Sequence, residues 1–191
     1  MLAPRARCSA RAGGLDSRFV RRVSVVGVSG AGKSTLARQL AVRLGVPHVE
    51  LDAIFHQPGW KPLPAQEFAR RVAAAAAGDG WVIDGNYSVV QAIVWRRADT
   101  VIWLDLPRRT VMRRIVWRTL RRLASGGELW NGNRERWRNL FTCDPDESVI
   151  SWAWHHYGTY RDRYSAAIQD PAYRHLMFIR GRQAGRAEAD H

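Results

Sequence analysis

Val23-Ser24-Val25-Val26-Gly27-Val28-Ser29-Gly30-Ala31-Gly32-Lys33-Ser34-Thr35 runs from an apolar, β-branched stretch into G-x-x-x-x-G-K-[ST]. Glycines let such a loop wrap until successive backbone amides converge on phosphate oxygens, and a helix starting there adds the positive end of its dipole. Gly27, Ser29, Gly30, Ala31, Gly32, Lys33, Ser34 and Thr35 are therefore the candidate nucleotide-binding residues. In such a loop the Lys33 ammonium reaches the β- and γ-phosphates and the Ser34 hydroxyl ligates magnesium, which implies ATP with Mg2+ as the ligand. The mechanics require a strand before the motif and a helix after it. Residues 23–26 form that strand, and residues 34–44 form that helix, with Leu36, Leu40 and Leu44 on one face and Gly45 and Pro47 closing it.

Outward from the loop, short β-branched runs alternate with longer helical patterns, which predicts a parallel sheet covered by helices. Residues 48–51 form the second strand, ending at Asp52. A turn-rich link over 58–64 contains Trp60, and a helix over 65–77 is stopped by Gly78 and Gly80. Residues 81–83 form the third strand, ending at Asp84, and residues 100–104 the fourth. Pro107 is placed as the first residue of a helix reaching Leu123, since proline needs no donor there. Residues 125–146 have weak periodicity and are expected to be a mobile insertion. A helix over about 147–168 and a fifth strand over 175–179 complete the pattern.

A chain of 191 residues, 46% hydrophobic, suffices for one compact domain but not two full-sized ones. No apolar run approaches the roughly 18–20 residues of a membrane span, so the expectation is a soluble, cytoplasmic protein without membrane partners. Cys8 and Cys143 are far apart and belong to no metal-like cluster, which fits reduced thiols. Adjacent His155 and His156 point in different directions on a helix and lack partners at ligand spacing.

The net charge of +13 is localised. Residues 1–22 carry six arginines against Asp16 and lack the apolar core of a signal peptide, so they are expected to be a basic, disordered tail ahead of a domain spanning 23–191. Residues 107–138 hold ten arginines against Glu128 and Glu135. Localised basicity asks for an anionic partner, either the phosphates of a nucleotide or those of DNA or RNA.

Asp52 and Asp84 fall at the carboxyl ends of strands, the edge where open α/β sheets bind ligands. Either can orient an acceptor hydroxyl, and Asp84 with Ser34 can meet magnesium. Asp105 ends the fourth strand just before Pro107, where a capping role is expected. On the helix over 107–123, Met112, Val116, Leu120 and Leu123 share a face opposite Arg114, Arg118 and Arg121. Phosphoryl transfer spreads negative charge over the equatorial oxygens, so Arg114 and Arg118 join Lys33, Asp52 and Asp84 as candidate catalytic residues. Trp130 to Trp137 mixes aromatic and basic residues able to stack on a base.

With those features placed, the chain resembles the adenylate kinase-like P-loop kinases, and within them the bacterial DNA topology modulation proteins. The resemblance runs from Val23 to about Arg182. It is carried by Val49-Glu50-Leu51-Asp52, Pro58-Gly59-Trp60, Trp81-Val82-Ile83-Asp84-Gly85-Asn86-Tyr87, Ala98-Asp99-Thr100-Val101-Ile102-Trp103-Leu104-Asp105 and Glu128-Leu129-Trp130-Asn131-Gly132-Asn133-Arg134-Glu135. It implies a three-layer α/β P-loop NTPase fold with a five-stranded parallel sheet in the order 2-3-1-4-5, and an arginine-bearing lid over about 124–146. It also implies an adenine site near residues 180–184. Asn86-Tyr87 stands where nucleotide kinases carry Phe-Pro-Arg, so the arginine that holds their monophosphate acceptor is missing. The lid has no cysteine quartet and hence no zinc. The function expected is ATP-dependent phosphoryl transfer to a small-molecule or nucleotide acceptor. The alternative is a nucleic-acid-associated regulatory NTPase that affects DNA topology, with the basic lid and tail binding nucleic acid.

Overall fold

A strand buried on both faces must be apolar at nearly every position, and three segments here are. Strand β1 (Arg22–Gly27), β3 (Trp81–Asp84) and β4 (Thr100–Leu104) are buried almost throughout and form the middle of the sheet. The shorter β2 (His48–Glu50) and β5 (Met177–Gly181) form its edges. All pairings are parallel: Val23 lies opposite Val82 and Thr100, His48 opposite Val82, and Val101 opposite Phe178. The spatial order is β2-β3-β1-β4-β5, the expected 2-3-1-4-5. This computed structural model describes residues 20–125, 130–132 and 149–181. Most of the expected lid, the adenine-site residues 182–184, and residues 1–19 lie outside the described residues.

Helices cover both faces. Helix α1 (Lys33–Leu44) packs Ala37 and Ala41 against Val23, Val25, Val82 and Ile102. On the other face α3 (Ala65–Ala75), α4 (Ser88–Trp95) and α6 (Val149–Ala167) contribute Phe68, Val72, Val90, Val94, Trp95 and Tyr164 to the larger core. A third cluster, Val28, Ala31, Leu106, Val111 and Ile115, fastens α5 (Arg108–Ser125) to the phosphate loop. Among the described residues, no helix is long and apolar enough to cross a membrane.

Several expectations need correcting. The turn-rich link over 58–64 is flanked by structure that the sequence pattern did not place. A short helix α2 (Leu51–Phe55) follows β2 directly, and His56–Gln57 pairs antiparallel with Lys61–Pro62 around a turn at Pro58–Trp60. Asp52 therefore lies in the first turn of a helix and not at a strand end. Helix α4 was not anticipated, because Ser-Val-Val-Gln-Ala-Ile-Val-Trp is apolar nearly all round and gives no helical period. Burial of Val90 and Val94, four residues apart, holds it as a helix.

On α5 the buried face is Val111, Ile115 and Thr119, whereas Val116 and Leu120 are exposed. Packing against the loop selected a stripe that mixes in threonine over the more apolar one. Asp105 does not end its strand as a simple cap. Its carboxylate is buried and receives Arg180 Nε at 2.9 Å and Arg161 Nε at 3.2 Å, tying α6 and β5 to the end of β4. The folded part also begins before Val23: Val20 is buried, and Arg22 donates to Asp99 through Nη2 at 2.7 Å and its backbone N–H at 2.9 Å.

Candidate functional site

The phosphate loop is held open by its glycines and by one side chain from another segment. Gly30 has φ +79°, and a Cβ there would lie 2.5 Å from Ile115 Cγ1 and 3.1 Å from the Val111 carbonyl oxygen. The α5 helix therefore approaches too closely for any side chain. Asn86, immediately beyond β3 and Gly85, accepts from the Gly27 N–H at 3.1 Å and donates through Nδ2 to the Gly27 carbonyl. Its own carbonyl receives Arg163 Nη2 at 2.8 Å, and its Oδ1 receives the Tyr164 hydroxyl at 3.1 Å. Asn86 thus fixes the first residue of the loop against α6.

At the other end of the loop Gly32 takes φ +95° and caps α1, whose first residues are Lys33 and Ser34. Lys33 Nζ donates to the Val28 carbonyl at 3.3 Å. Burial pushes its ammonium down from the ordinary lysine value, and the negative charges of Asp52 and Asp84 oppose that shift. Asp84, 1% exposed, accepts from Ser34 Oγ at 3.4 Å and lies 2.9 Å from His48 Nε2. Burial raises its carboxyl above the usual range, against the pull of His48 and Lys33.

His48, Glu50 and Asp84 offer ligand atoms within 4.8 Å of one another beside Ser34. The pairing of Glu50 with Asp84 across β2 and β3 creates this cluster, so no linear spacing announces it.

Two arginines from α5 reach the loop. Arg114 Nη1 donates to the Ala31 carbonyl at 3.3 Å and Arg118 Nη2 to Ser29 Oγ at 3.1 Å. Four residues apart, they share the side of the helix that Ile115 anchors.

Opposite the loop stands a wall of side chains. The Tyr87 hydroxyl donates to Asp52 Oδ1 at 2.7 Å and lies 3.4 Å from His56 Nε2. Its ring is fixed by Phe55 and Phe68, with centroids at 4.7 and 5.0 Å. Burial and the neighbouring Asp52 charge push the phenol far above its ordinary value, so it remains a donor. His56 meets Trp60 edge-on at 5.3 Å. Trp60 has φ +60° and is 39% exposed. Asn131, the other non-glycine residue with positive φ among those described, donates to the carbonyls of Ala53 (3.2 Å) and His56. Left-handed backbone in bulky residues costs on the order of 1 kcal/mol or more and persists where surroundings enforce it. Both instances lie beside α2.

Of the candidates, Gly27, Ser29, Gly30, Ala31, Gly32, Lys33 and Ser34 form one loop, with Thr35 exposed on the next residue of α1. Asp52, Asp84, Arg114 and Arg118 surround it. His48 and Arg163 were not singled out, and Asn86 and Tyr87 were noted only as a departure from the Phe-Pro-Arg of nucleotide kinases. Polar residues directly after a strand at the ligand edge are the signal that would have flagged Asn86 and Tyr87.

A central strand, a glycine loop and a capped helix within a 2-3-1-4-5 parallel sheet define the three-layer P-loop NTPase class. The fold is shared with the crystal structure of shikimate kinase from Bacteroides thetaiotaomicron, at TM-score 0.52 and 16% identity over 85% of this chain and 86% of that one. No family model matches the chain. Among curated proteins it is 35% identical over 121 residues to shikimate kinase of Symbiobacterium thermophilum, covering 54% of this chain and 70% of that protein. It is 28% identical over 147 residues to cytidylate kinase of Pyrococcus horikoshii, covering 67% and 75%. The chain belongs to the P-loop kinases related to shikimate and cytidylate kinases. These relatives do not place it specifically in the DNA topology modulation branch.

Proposed function

We propose that the protein transfers the γ-phosphate of ATP to a small acceptor bound between the phosphate loop and the wall formed by Asp52, Tyr87, His56 and Trp60. The observation that carries this reading is Lys33, set between the loop and two carboxylates with different surroundings. Asp84 is sequestered with Ser34 and His48, whereas Asp52 already accepts a hydroxyl proton donor. A serine hydroxyl beside a carboxylate is a hard-oxygen donor set suited to magnesium, so Ser34 and Asp84 are the residues that would hold it. Bound there, the ion would neutralise phosphate charge.

The remaining roles belong to the chain itself. Amides of residues 27–33 cradle the phosphates, Lys33 draws the β- and γ-phosphates together, and Arg114 and Arg118 close the side facing α5. Asp52 orients the acceptor.

The resemblance to DNA topology modulation proteins is compatible with a kinase, since that label describes a cellular effect. The nucleic-acid alternative draws less support. The lid and tail arginines that motivated it lie outside the described residues except Arg21 and Arg22, and Arg22 is held by Asp99, whereas Arg114 and Arg118 are turned onto Ala31 and Ser29.

The test is incubation with γ-labelled ATP, magnesium and pooled metabolites, alongside Lys33→Ala. Label transferred to a metabolite by the wild type and lost in the variant supports the proposal. Label recovered only as inorganic phosphate, unaffected by metabolites but stimulated by DNA, overturns it.

A further inference from the structure

A carboxylate that holds a metal ion has to keep one oxygen turned toward it, and the group can rotate about its last bond. What fixes it is the partner on its other oxygen, which is why ligating carboxylates are themselves hydrogen-bonded. Asp84 is the buried last residue of β3, so that partner has to come from the protein.

The register of the sheet supplies one. Glu50 lies opposite Asp84 across β2 and β3, and His48, two residues earlier, is on the same face of β2 as Glu50. On α1, Ser34 and Arg38 are four residues apart and share a side. Five side chains from three elements thereby form a row. Arg38 Nη2 donates to Glu50 Oε1 at 3.2 Å, and that oxygen lies 3.9 Å from His48 Nδ1. His48 Nε2 lies 2.9 Å from Asp84 Oδ2, and Ser34 Oγ lies 3.4 Å from Asp84 Oδ1. An ionised carboxylate can only accept, so Nε2 carries the hydrogen of the 2.9 Å bond. The two oxygens of Asp84 thus have different neighbours: the imidazole occupies Oδ2, and Oδ1 faces the serine.

We infer that His48 is a positioning residue for the metal carboxylate: by holding Asp84 Oδ2 it keeps Oδ1 on the Ser34 side, where the two would hold magnesium. Glu50, itself held by Arg38, flanks the opposite edge of the ring. The inference rests on the reading that Ser34 and Asp84 hold magnesium, and it adds a residue that neither the phosphate motif nor the strand-end acid announces.

A donor role is separable from its alternatives by reach. Glutamine carries its amide nitrogen about as far from the backbone as Nε2, whereas the asparagine amide stops at the distance of Nδ1, on the Glu50 side. Both are polar and uncharged, so only the bond to Asp84 distinguishes them.

The experiment measures ATP dissociation constants by equilibrium dialysis on the full chain, once in EDTA and once in excess magnesium. Wild type is compared with His48→Gln, His48→Asn and Asp84→Asn. The ratio of the two constants is the coupling between the ion and the protein. Magnesium should tighten ATP binding to the wild type, and Asp84→Asn should abolish that gain. His48→Asn should lower it by about 10-fold, the lower end of what losing an outer partner costs a metal site, and His48→Gln should retain it. In EDTA both His48 variants should match the wild type, which reports an intact phosphate loop.

A gain that survives His48→Asn but not Asp84→Asn overturns the inference and leaves the metal reading standing. Equal losses in His48→Gln and His48→Asn, the behaviour of a direct ligand, overturn it as well. So does weakened ATP binding by His48→Asn in EDTA, the mark of a packing role. No magnesium gain in the wild type, or a gain untouched by Asp84→Asn, removes the metal reading and the inference with it.

Discussion

The phosphate loop and the acceptor wall face each other across Lys33 but are built by opposite means. The loop is one contiguous run whose working groups are backbone amides, shaped by glycines and pinned at Gly27 by Asn86. The wall is assembled from side chains of α2, the hairpin, residue 87 and Asn131, which are far apart in sequence. A backbone device constrains conformation and tolerates little. A side-chain device is specified residue by residue, and in the proposed reaction it is the side that would choose the acceptor.

Four changes would break or sharpen that contrast. Lys33→Ala should reduce ATP turnover by about 10²–10³-fold or more, the cost of losing one preorganised charge-stabilising group, with little change in melting temperature. Gly30→Ala attacks the donor side through the backbone alone. A Cβ at 2.5 Å from Ile115 in a left-handed residue should cost about 2–3 kcal/mol of stability, read by thermal denaturation. If the melting temperature holds, the close approach of α5 is not the constraint argued here.

Trp60→Ala should leave ATP affinity unchanged and raise KM for the acceptor about 2–10-fold, corresponding to roughly 0.5–1.5 kcal/mol of aromatic contact. An equal effect on both substrates would mean that the two sides are not separable. The smallest effect serves as a control remote from either side. Burial alone would raise the Asp99 carboxyl, but the Arg22 guanidinium and the backbone amides of Arg22 and Arg21 outweigh it and hold it below its ordinary 3.8. A depressed folded value means stability that is present above about pH 4 and lost as pH falls through the folded value. Asp99→Asn should flatten that acid limb by less than about 1 kcal/mol, without altering turnover at neutral pH.

The same contrast explains what could be read in the sequence. Gly27 to Ser34 declared the loop because the motif is local, and the alternation around it declared a parallel sheet, while the strand order was what the resemblance to P-loop kinases implied. Arg114 and Arg118 were singled out for their charge on the helix after the fourth strand, and their side chains lie on the loop. His48 beside Asp84 was not, since the contact exists only once β2 and β3 pair in register. Tyr87 on Asp52 depends on α2, which breaks away from β2 after three strand residues and so moved Asp52 off the strand end where it was expected. Helix α4 stayed hidden because its uniformly apolar sequence carries no period, and its conformation is set by what covers it.

The position of β1 bears on how the protein is made. It lies between strands that follow it in the chain, so its first parallel ladder waits for residues 81–84 and its second for residues 100–104. A nascent chain ending before Trp81 therefore carries the complete phosphate motif without either strand that flanks β1 or the Asn86 side chain that pins Gly27. Such non-local pairing is slow to form, because loop closure precedes any gain from contact. A ligand that recognises only the finished loop, as the proposed ATP donor would, stabilises the completed domain over its precursors.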